Sequence, residues 1–300
     1  MKIFNGINKI SKFRNPVVAM GVFDGVHKGH REILKAAVRK AQKIGGLSVA
    51  FTFWPHPQQE ESLYSLEHRL QLIAELGVDV CIIVRFSKHF SKISASSFIK
   101  NILVKKINVK YIYVGSDFKF GKGALGDLDL LREEGKFHNF GVKGFRIIKV
   151  KGRPIRSTLI RSLIKTGKIK DAEKLLGRRV SVLGSVIKGT ALGRILGFPT
   201  ANIDPHHEVI PASGIYAVRI ILDKHKLKGA CYIGKRPTIE AGNNKINIEV
   251  HIFNFNTDIY GKYLEIQFVK KIRSDKKFNS LDKLALQIKK DLISAKKIPF

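Results

Sequence analysis

The sequence predicts two domains of different class: an α/β domain on a parallel sheet, followed by a closed or nearly closed antiparallel β-barrel with a terminal helix. Three observations predict this. Between residues 17 and 150, short apolar runs alternate with amphipathic ones, the pattern of βα units. Beyond residue 180, strand-like runs follow one another at close spacing with turns between them. The length of 300 residues, with 44% hydrophobic residues, suits two cores rather than one. The change of texture falls after a helical 169–176 that ends at Gly177 and leads into Arg178 and Arg179, so the expected domains are 1–178 and 179–300.

In the first domain an apolar run over 16–20 enters the glycine-rich GVFDGVHKGH (21–30), and the amphipathic pattern predicts a helix over about 29–43. There follow a strand LSVAFTF (47–53), a helix near 66–75, a strand VDVCIIV (78–84), a helix near 95–105, a strand KYIYVG (110–115), a helix near 127–134 and a strand FRIIKV (145–150). In the second domain the expected strands are VSVLGSVIKG (180–189), GIYAVRIIL (214–222), LKGACYIG (227–234), INIEVHIFNF (246–255) and KYLEIQFVKKI (262–272). An amphipathic helix over about 280–295 closes the chain.

Composition narrows the function classes. No apolar run approaches the 18 or more residues of a membrane span, and the first residues, MKIFNGINKISKF, lack a continuous apolar leader core, so the expected location is the cytoplasm. Cys81 and Cys231 each sit inside an apolar strand-like run and read as core residues, and no Cys/His metal cluster stands out. The formal charge is +31, but the 39 lysines outnumber the 16 arginines and are scattered over every predicted helix and loop. That distribution describes a solvated surface, and no nucleic-acid module signature accompanies it, so no specific nucleic acid is expected as a partner.

The strand, glycine-rich turn and helix start at 16–31 are suited to an anion, because free N–H groups and the positive dipole end meet there and glycines admit a phosphate to the main chain. His27 and His30, flanking Lys28 and Gly29, add donors that count most against charge developing in a transition state. Two nearby histidines in a loop are by themselves commonly incidental. The full run, however, resembles the HxGH signature of the Rossmann-like nucleotidyltransferase superfamily, and in this longer form the adenylyltransferase half of bacterial bifunctional riboflavin kinase/FAD synthetases. It has neither the GxxxxGK[ST] of a Walker A loop nor the GxGxxG of a dinucleotide fingerprint.

That resemblance extends along the chain. TFWPHP (52–57) and VGSDFKFG (114–121) are similar to the family's TFxPHP and VGxDFxFG loops, which lie about flavin and nucleotide, making Phe53, Pro55, Asp117, Phe118 and Phe120 flavin-binding candidates. On their residues alone, Phe53 and Trp54 fit equally a rigid turn capping the core. IRSTLIR (155–161) is similar to the family's ISSTxIR. It implies that Arg161 grips ATP phosphates with its planar fork while Ser157 and Thr158 bond phosphate oxygens; Arg156 stands where the family has a serine. Gly21, Phe23, Asp24 and Gly25 complete the implied ATP site, with His27 and His30 as the catalytic pair.

In the second domain GTALGRILGFPTAN (189–202) resembles the GxxxGRxLGFPTAN motif of riboflavin kinases. By that resemblance Gly189 and Gly193 approach ATP, and Thr200 and Asn202 contact both ATP and Mg2+, a hard cation that prefers oxygen ligands. Further matches are PASGIY (211–216), IGKRPT (233–238), IEVH (248–251) and the Ile272-Arg273 pair, which adds Arg273 to the flavin candidates. A glutamate in a strand ordinarily faces solvent; the family places its catalytic base at Glu249. The resemblance implies ATP as co-substrate in two reactions, riboflavin to FMN in the barrel and FMN to FAD and pyrophosphate in the α/β domain. One rival reading is an HxGH transferase acting on another substrate, opposed by the second signature; another is a nucleic-acid-binding protein on a disused nucleotidyltransferase fold, opposed by the intact His27, His30, Arg161, Thr200, Asn202 and Glu249. Weak self-association is left open.

Overall fold

The computed structural model describes residues 1–8, 10, 12–57, 61–150, 152–190, 192–235 and 246–299. They form two compact units, Met1–Ser62 with Leu66–Ser157, and Leu63–Ser65 with Thr158–Phe300. In the first, β1 (Lys2–Asn5), β2 (Val17–Met20), β3 (Ser48–Phe53), β4 (Val80–Val84), β5 (Tyr111–Gly115) and β6 (Gly141–Phe145) make one parallel sheet. The strand order is β1-β4-β3-β2-β5-β6. Strands β2 to β4 are buried along their whole length, which is why they read as unbroken apolar runs rather than as alternation. The connecting helices are α1 (Lys28–Lys43), α2 (Leu66–Ala74), α3 (Ala95–Phe98) and α4 (Leu128–His138). The chain adds β3 and β4 on one side of β2 and then β5 and β6 on the other. The strand order therefore reverses at β2, and the crevice where such sheets bind ligands opens at its carboxyl end.

Three local expectations are corrected. The strand expected over 145–150 lies earlier: β6 is Gly141–Phe145, while β7 (Lys149–Val150) pairs only with β8 (Arg153–Pro154) in a separate hairpin. Glycines weaken a strand signal, yet here they make room for neighbours, since a Cβ on Gly141 would stand 2.7 Å from the Tyr111 ring. The helix after residue 95 keeps its α form for one turn and becomes π-helical over Ile99–Ile107. Two four-residue strands, β1 and β10 (Ala201–Asp204), extend the expected set, each too short to show a pattern of its own.

In the second unit α5 (Ser157–Lys165) and α6 (Ile169–Leu176) lead to the barrel, with Gly177 ending α6 in the left-handed conformation at φ 74°. Strands β9 (Ser181–Ile187), β10, β11 (Gly214–Leu222), β12 (His225–Lys235), β13 (Ile246–Ile252) and β14 (Tyr263–Arg273) close it in the order β10-β13-β12-β11-β14-β9, antiparallel throughout. A short α7 (Leu192–Ile195) lies in the glycine-rich stretch, and α8 (Leu281–Lys296) packs on β11, β12 and β14. The buried Glu208 carboxylate accepts from the Ser65 N–H and hydroxyl at 3.0 and 2.8 Å and from the Leu183 N–H at 3.0 Å, which ties residues 63–65 to this unit. Cys81 and Cys231 are free and fully buried, as their apolar surroundings predict.

Candidate active sites

The first site is built on the turn between β2 and α1. Phe23 takes the left-handed conformation (φ 52°, ψ 27°), and Asp24–Val26 form a single buried 3₁₀ turn in which Gly25 lies at φ 76°. His27 caps α1, its Nδ1 accepting from the His30 N–H at 3.4 Å. A neutral His27 that accepts at Nδ1 carries its proton on Nε2. Its ring stacks on His30 with centroids 3.6 Å apart and planes 19° apart, and Phe23 meets His30 edge-on at 5.4 Å. The glycine of HxGH makes this stack fit, because a Cβ on Gly29 would stand 3.2 Å from the His27 ring. Gly21 plays the same part beneath Phe23, with 3.1 Å from an added Cβ to the ring. The Ser157 hydroxyl donates to the Asp24 carbonyl at 2.9 Å, so this serine braces the turn from behind. Arg156 is exposed; Thr158 is exposed and Arg161 half-buried, both on the part of α5 that belongs to the second unit.

The aromatic candidates join into one wall within the first unit. Phe53 packs against Phe90 at 5.9 Å, Phe90 against Phe98 at 6.1 Å, and Phe98 against Phe120 at 5.6 Å. Phe118 then stacks on Phe120 at 5.7 Å with planes 17° apart. Phe53 and Phe120 are buried in the core, Phe118 is half-buried, and Asp117 and Pro55 are exposed. Phe90 and Phe98, which link the two loops, lie outside any motif in the sequence.

The second site is a cavity of about 280 Å³ bounded by the barrel, residues 192–200 and α8. Glu249 on β13 stands on its wall and accepts from the Thr200 hydroxyl at 3.1 Å and from Asn247 Nδ2 at 2.6 Å. Asn202 lies directly opposite Glu249 in the β10–β13 ladder. The two glycines assigned to nucleotide approach each stand close against neighbours in the same domain. An added Cβ on Gly189 would overlap the Asn202 side-chain amide, and one on Gly193 would stand 2.8 Å from Thr200 Oγ1. Ring nitrogen Nδ1 of His251 lies 2.8 Å from the Pro199 carbonyl and fixes the chain just before Thr200. Among the described residues no group of three or more His, Cys, Asp or Glu could hold a metal. Magnesium fits the donors that are present, since it keeps several waters and takes one or two protein oxygens together with phosphates.

Also lining this cavity, Arg273 makes a forked pair with Asp291 of α8, from Nε at 3.0 Å and Nη2 at 2.7 Å, and Nη1 donates to the Ser274 carbonyl at 2.9 Å. The Tyr232 hydroxyl donates to Asp275 at 3.4 Å; burial first, then Asp275, pushes that phenol above its ordinary range. Burial likewise raises Cys231, which lines the same cavity, with the Glu249 charge adding to the effect. Residues 236–238 of the expected IGKRPT match, and Ala191 of the glycine-rich motif, lie outside the described residues.

Sequence reasoning passed over Asn247 and His251, although both share one face of β13 with Glu249 by simple alternation. It also passed over Arg69, a fully buried arginine on α2 whose signal is a charge on the helix face that also carries Leu72 and Ile73.

A parallel α/β unit with a histidine pair at its strand switch point shares one chain with a barrel bearing a carboxylate on a cavity wall, the arrangement that the motif resemblance implies for a two-domain transferase. Comparison with known proteins makes this particular. Residues 9–159 match the FAD synthetase family model and residues 176–299 the riboflavin kinase model. The bifunctional riboflavin kinase/FMN adenylyltransferase of Buchnera aphidicola subsp. Schizaphis graminum is 38% identical, over 99% of this chain and 98% of its own. That of Escherichia coli K12 is 36% identical, over 99% and 97%. A crystal structure described as a macrolide-efflux protein from Streptococcus pneumoniae shares the fold over the whole of both chains, with a TM-score of 0.88 at 29% identity. No helix among the described residues is long and apolar enough to cross a membrane. The chain belongs to the bifunctional riboflavin kinase/FMN adenylyltransferase family.

Proposed function

We propose that the barrel transfers the γ-phosphoryl group of ATP to riboflavin, and that the α/β unit transfers the adenylyl group of ATP to the resulting FMN, releasing pyrophosphate. The observation that carries the reading is Glu249, held on the cavity wall by Thr200 and Asn247. A carboxylate fixed in this way can take the proton of a primary hydroxyl as that oxygen attacks phosphorus. Thr200 and Asn202 would hold magnesium, which, when bound, compensates the phosphate charge. Gly189 and Gly193 leave the space those two side chains occupy. Arg273, fixed by Asp291, orients one edge of the flavin.

In the α/β unit His27 and His30 stabilise the phosphate charge that develops on displacement, on the turn formed by Gly21, Phe23, Asp24 and Gly25. Ser157 supports that turn, and Thr158 and Arg161 take phosphate oxygens by the family motif. Phe53, Pro55, Asp117, Phe118 and Phe120 form the flavin side. Both steps are in-line displacements served by positioning and charge, without a covalent intermediate. The functional boundary is proposed at 178/179, just past the glycine that ends α6 and before the first barrel strand. The proposed location is the cytoplasm, with weak self-association. Purified protein incubated with riboflavin, ATP and magnesium, with the flavins then separated, is expected to yield FMN followed by FAD. Absence of FMN would refute the barrel assignment, and absence of FAD from supplied FMN would refute the other.

A further inference from the structure

Arg69 is the largest fully buried side chain among the described residues, and no motif claims it. Its Nη1 donates to the Val22 carbonyl at 2.9 Å and to the Phe53 carbonyl at 3.2 Å, at the ends of the two strands that open the first site. Its Nη2 stands 3.7 Å from Asp24 Oδ1, and its guanidinium lies 5.1 Å from the centre of the Trp54 ring. The Val22 carbonyl has a second donor, the Thr52 hydroxyl at 2.8 Å. Two donors on one carbonyl fix the peptide plane that enters Phe23, and Phe23 is the bulky residue held left-handed at φ 52°. Such a conformation costs on the order of 1–3 kcal/mol and persists only where its surroundings impose it. From that conformation the Phe23 ring reaches His30, and His30 stacks on His27.

A buried guanidinium is a poor stabiliser, because its desolvation is only offset by close partners, and an apolar side chain of similar volume often serves stability as well. Burial lowers the pKa of Arg69, Asp24 opposes the shift, and an arginine remains charged regardless. The placement of this cost beneath the histidine turn needs a reason other than stability.

We propose that Arg69, assisted by Thr52, is a positioning residue for adenylyl transfer, setting the His27–His30 pair through the Val22 carbonyl and Phe23. The inference rests on the adenylyltransferase reading of that site. Replacement of the guanidinium lets the Val22–Phe23 peptide rotate and moves His30. A displacement of about 1 Å at a reacting centre can cost on the order of 10²-fold in rate.

The test compares parent, Arg69→Ala, Arg69→Lys and Thr52→Val for FAD formation from FMN and ATP, with and without added ethylguanidinium, and with riboflavin phosphorylation as internal control. Arg69→Ala is expected to lose on the order of 10²-fold in kcat with KM for FMN little changed, and to recover part of it with ethylguanidinium, which fits the space left behind. Arg69→Lys keeps charge and one donor and is expected to fall between parent and alanine. Thr52→Val keeps shape and loses one donor to the same carbonyl, so it should show a smaller kcat defect even if the alanine variant unfolds. Parent-like kcat in Arg69→Ala or in Thr52→Val overturns the inference. Loss confined to KM, or loss that ethylguanidinium leaves untouched in a folded Arg69→Ala, overturns it also. A parent that makes no FAD overturns the adenylyltransferase reading and the inference together, whereas an active parent with unaffected variants overturns the inference alone.

Discussion

Glu249→Gln separates chemistry from architecture at the barrel site. The glutamate oxygens accept from Thr200 Oγ1 at 3.1 Å and Asn247 Nδ2 at 2.6 Å. A glutamine can keep both contacts if its carbonyl faces Asn247 and its amide donates to Thr200, whose hydroxyl turns from donor to acceptor. The exchange of one satisfied pair for another should shift stability by no more than about 1 kcal/mol. What disappears is the basic carboxylate. General-base catalysis is worth roughly 10²- to 10⁴-fold, which at 1.36 kcal/mol per tenfold is about 3 to 5 kcal/mol of barrier. The assay is riboflavin phosphorylation at saturating ATP and magnesium, followed by flavin separation. Circular dichroism and FAD synthesis from supplied FMN serve as controls, since that second reaction is proposed for the His27–His30 site. A variant that phosphorylates riboflavin at close to the parental rate would refute the reasoning, and Glu249 would then be a structural partner of Thr200 only.

His30→Ala removes one preorganised donor and is expected to cost FAD synthesis on the order of 2–4 kcal/mol of transition-state stabilisation while leaving the kinase rate intact; equal loss of both activities in a folded variant would contradict the independence of the sites. Arg156 is exposed, so Arg156→Ser should change FAD synthesis little, and a large gain in rate would show that this arginine impairs the site. Burial raises both thiols, Cys81 to about 12, so a thiol-specific reagent near pH 8 should modify neither cysteine until the chain is unfolded. Because the folded pKa of Cys81 lies above its ordinary 9.0, its contribution to stability is complete below that value and is lost as the pH rises toward about 12; denaturant midpoints that stay flat across this window in parent relative to Cys81→Ala would contradict it.

The fold class was legible because β2 to β4, and the alternating strands of the barrel, carry their burial in their hydrophobic pattern. The sheet strand β6 was not, because its two glycines are there for the benefit of Tyr111 and Leu128 and leave no pattern on β6 itself. Of the candidate sites, the motif residues stand out in the sequence, whereas the side chains that contact them do not. Arg69, Thr52 and Asn247 act across 16 to 47 positions of chain or across one face of a strand, and their meaning appears only when Val22, Phe53 and Glu249 are brought to them.

The glycines show most clearly where sequence reasoning stops. Read along the chain, a glycine-rich run before a helix or strand suggests a backbone laid bare for a phosphate. In the folded protein the space left by Gly29 is filled by the His27 ring, that left by Gly193 by the Phe198 carbonyl and the Thr200 side chain, and that left by Gly189 by the Asn202 amide. None of these three glycines lies in the left-handed region, so conformational freedom does not account for them. Each clears the space in which a neighbouring polar side chain sits, and in each case that side chain is one the motif assigns to phosphate, nucleotide or metal. The glycine and its polar partner are therefore one unit, and a methyl group added to the first should act as a displacement of the second.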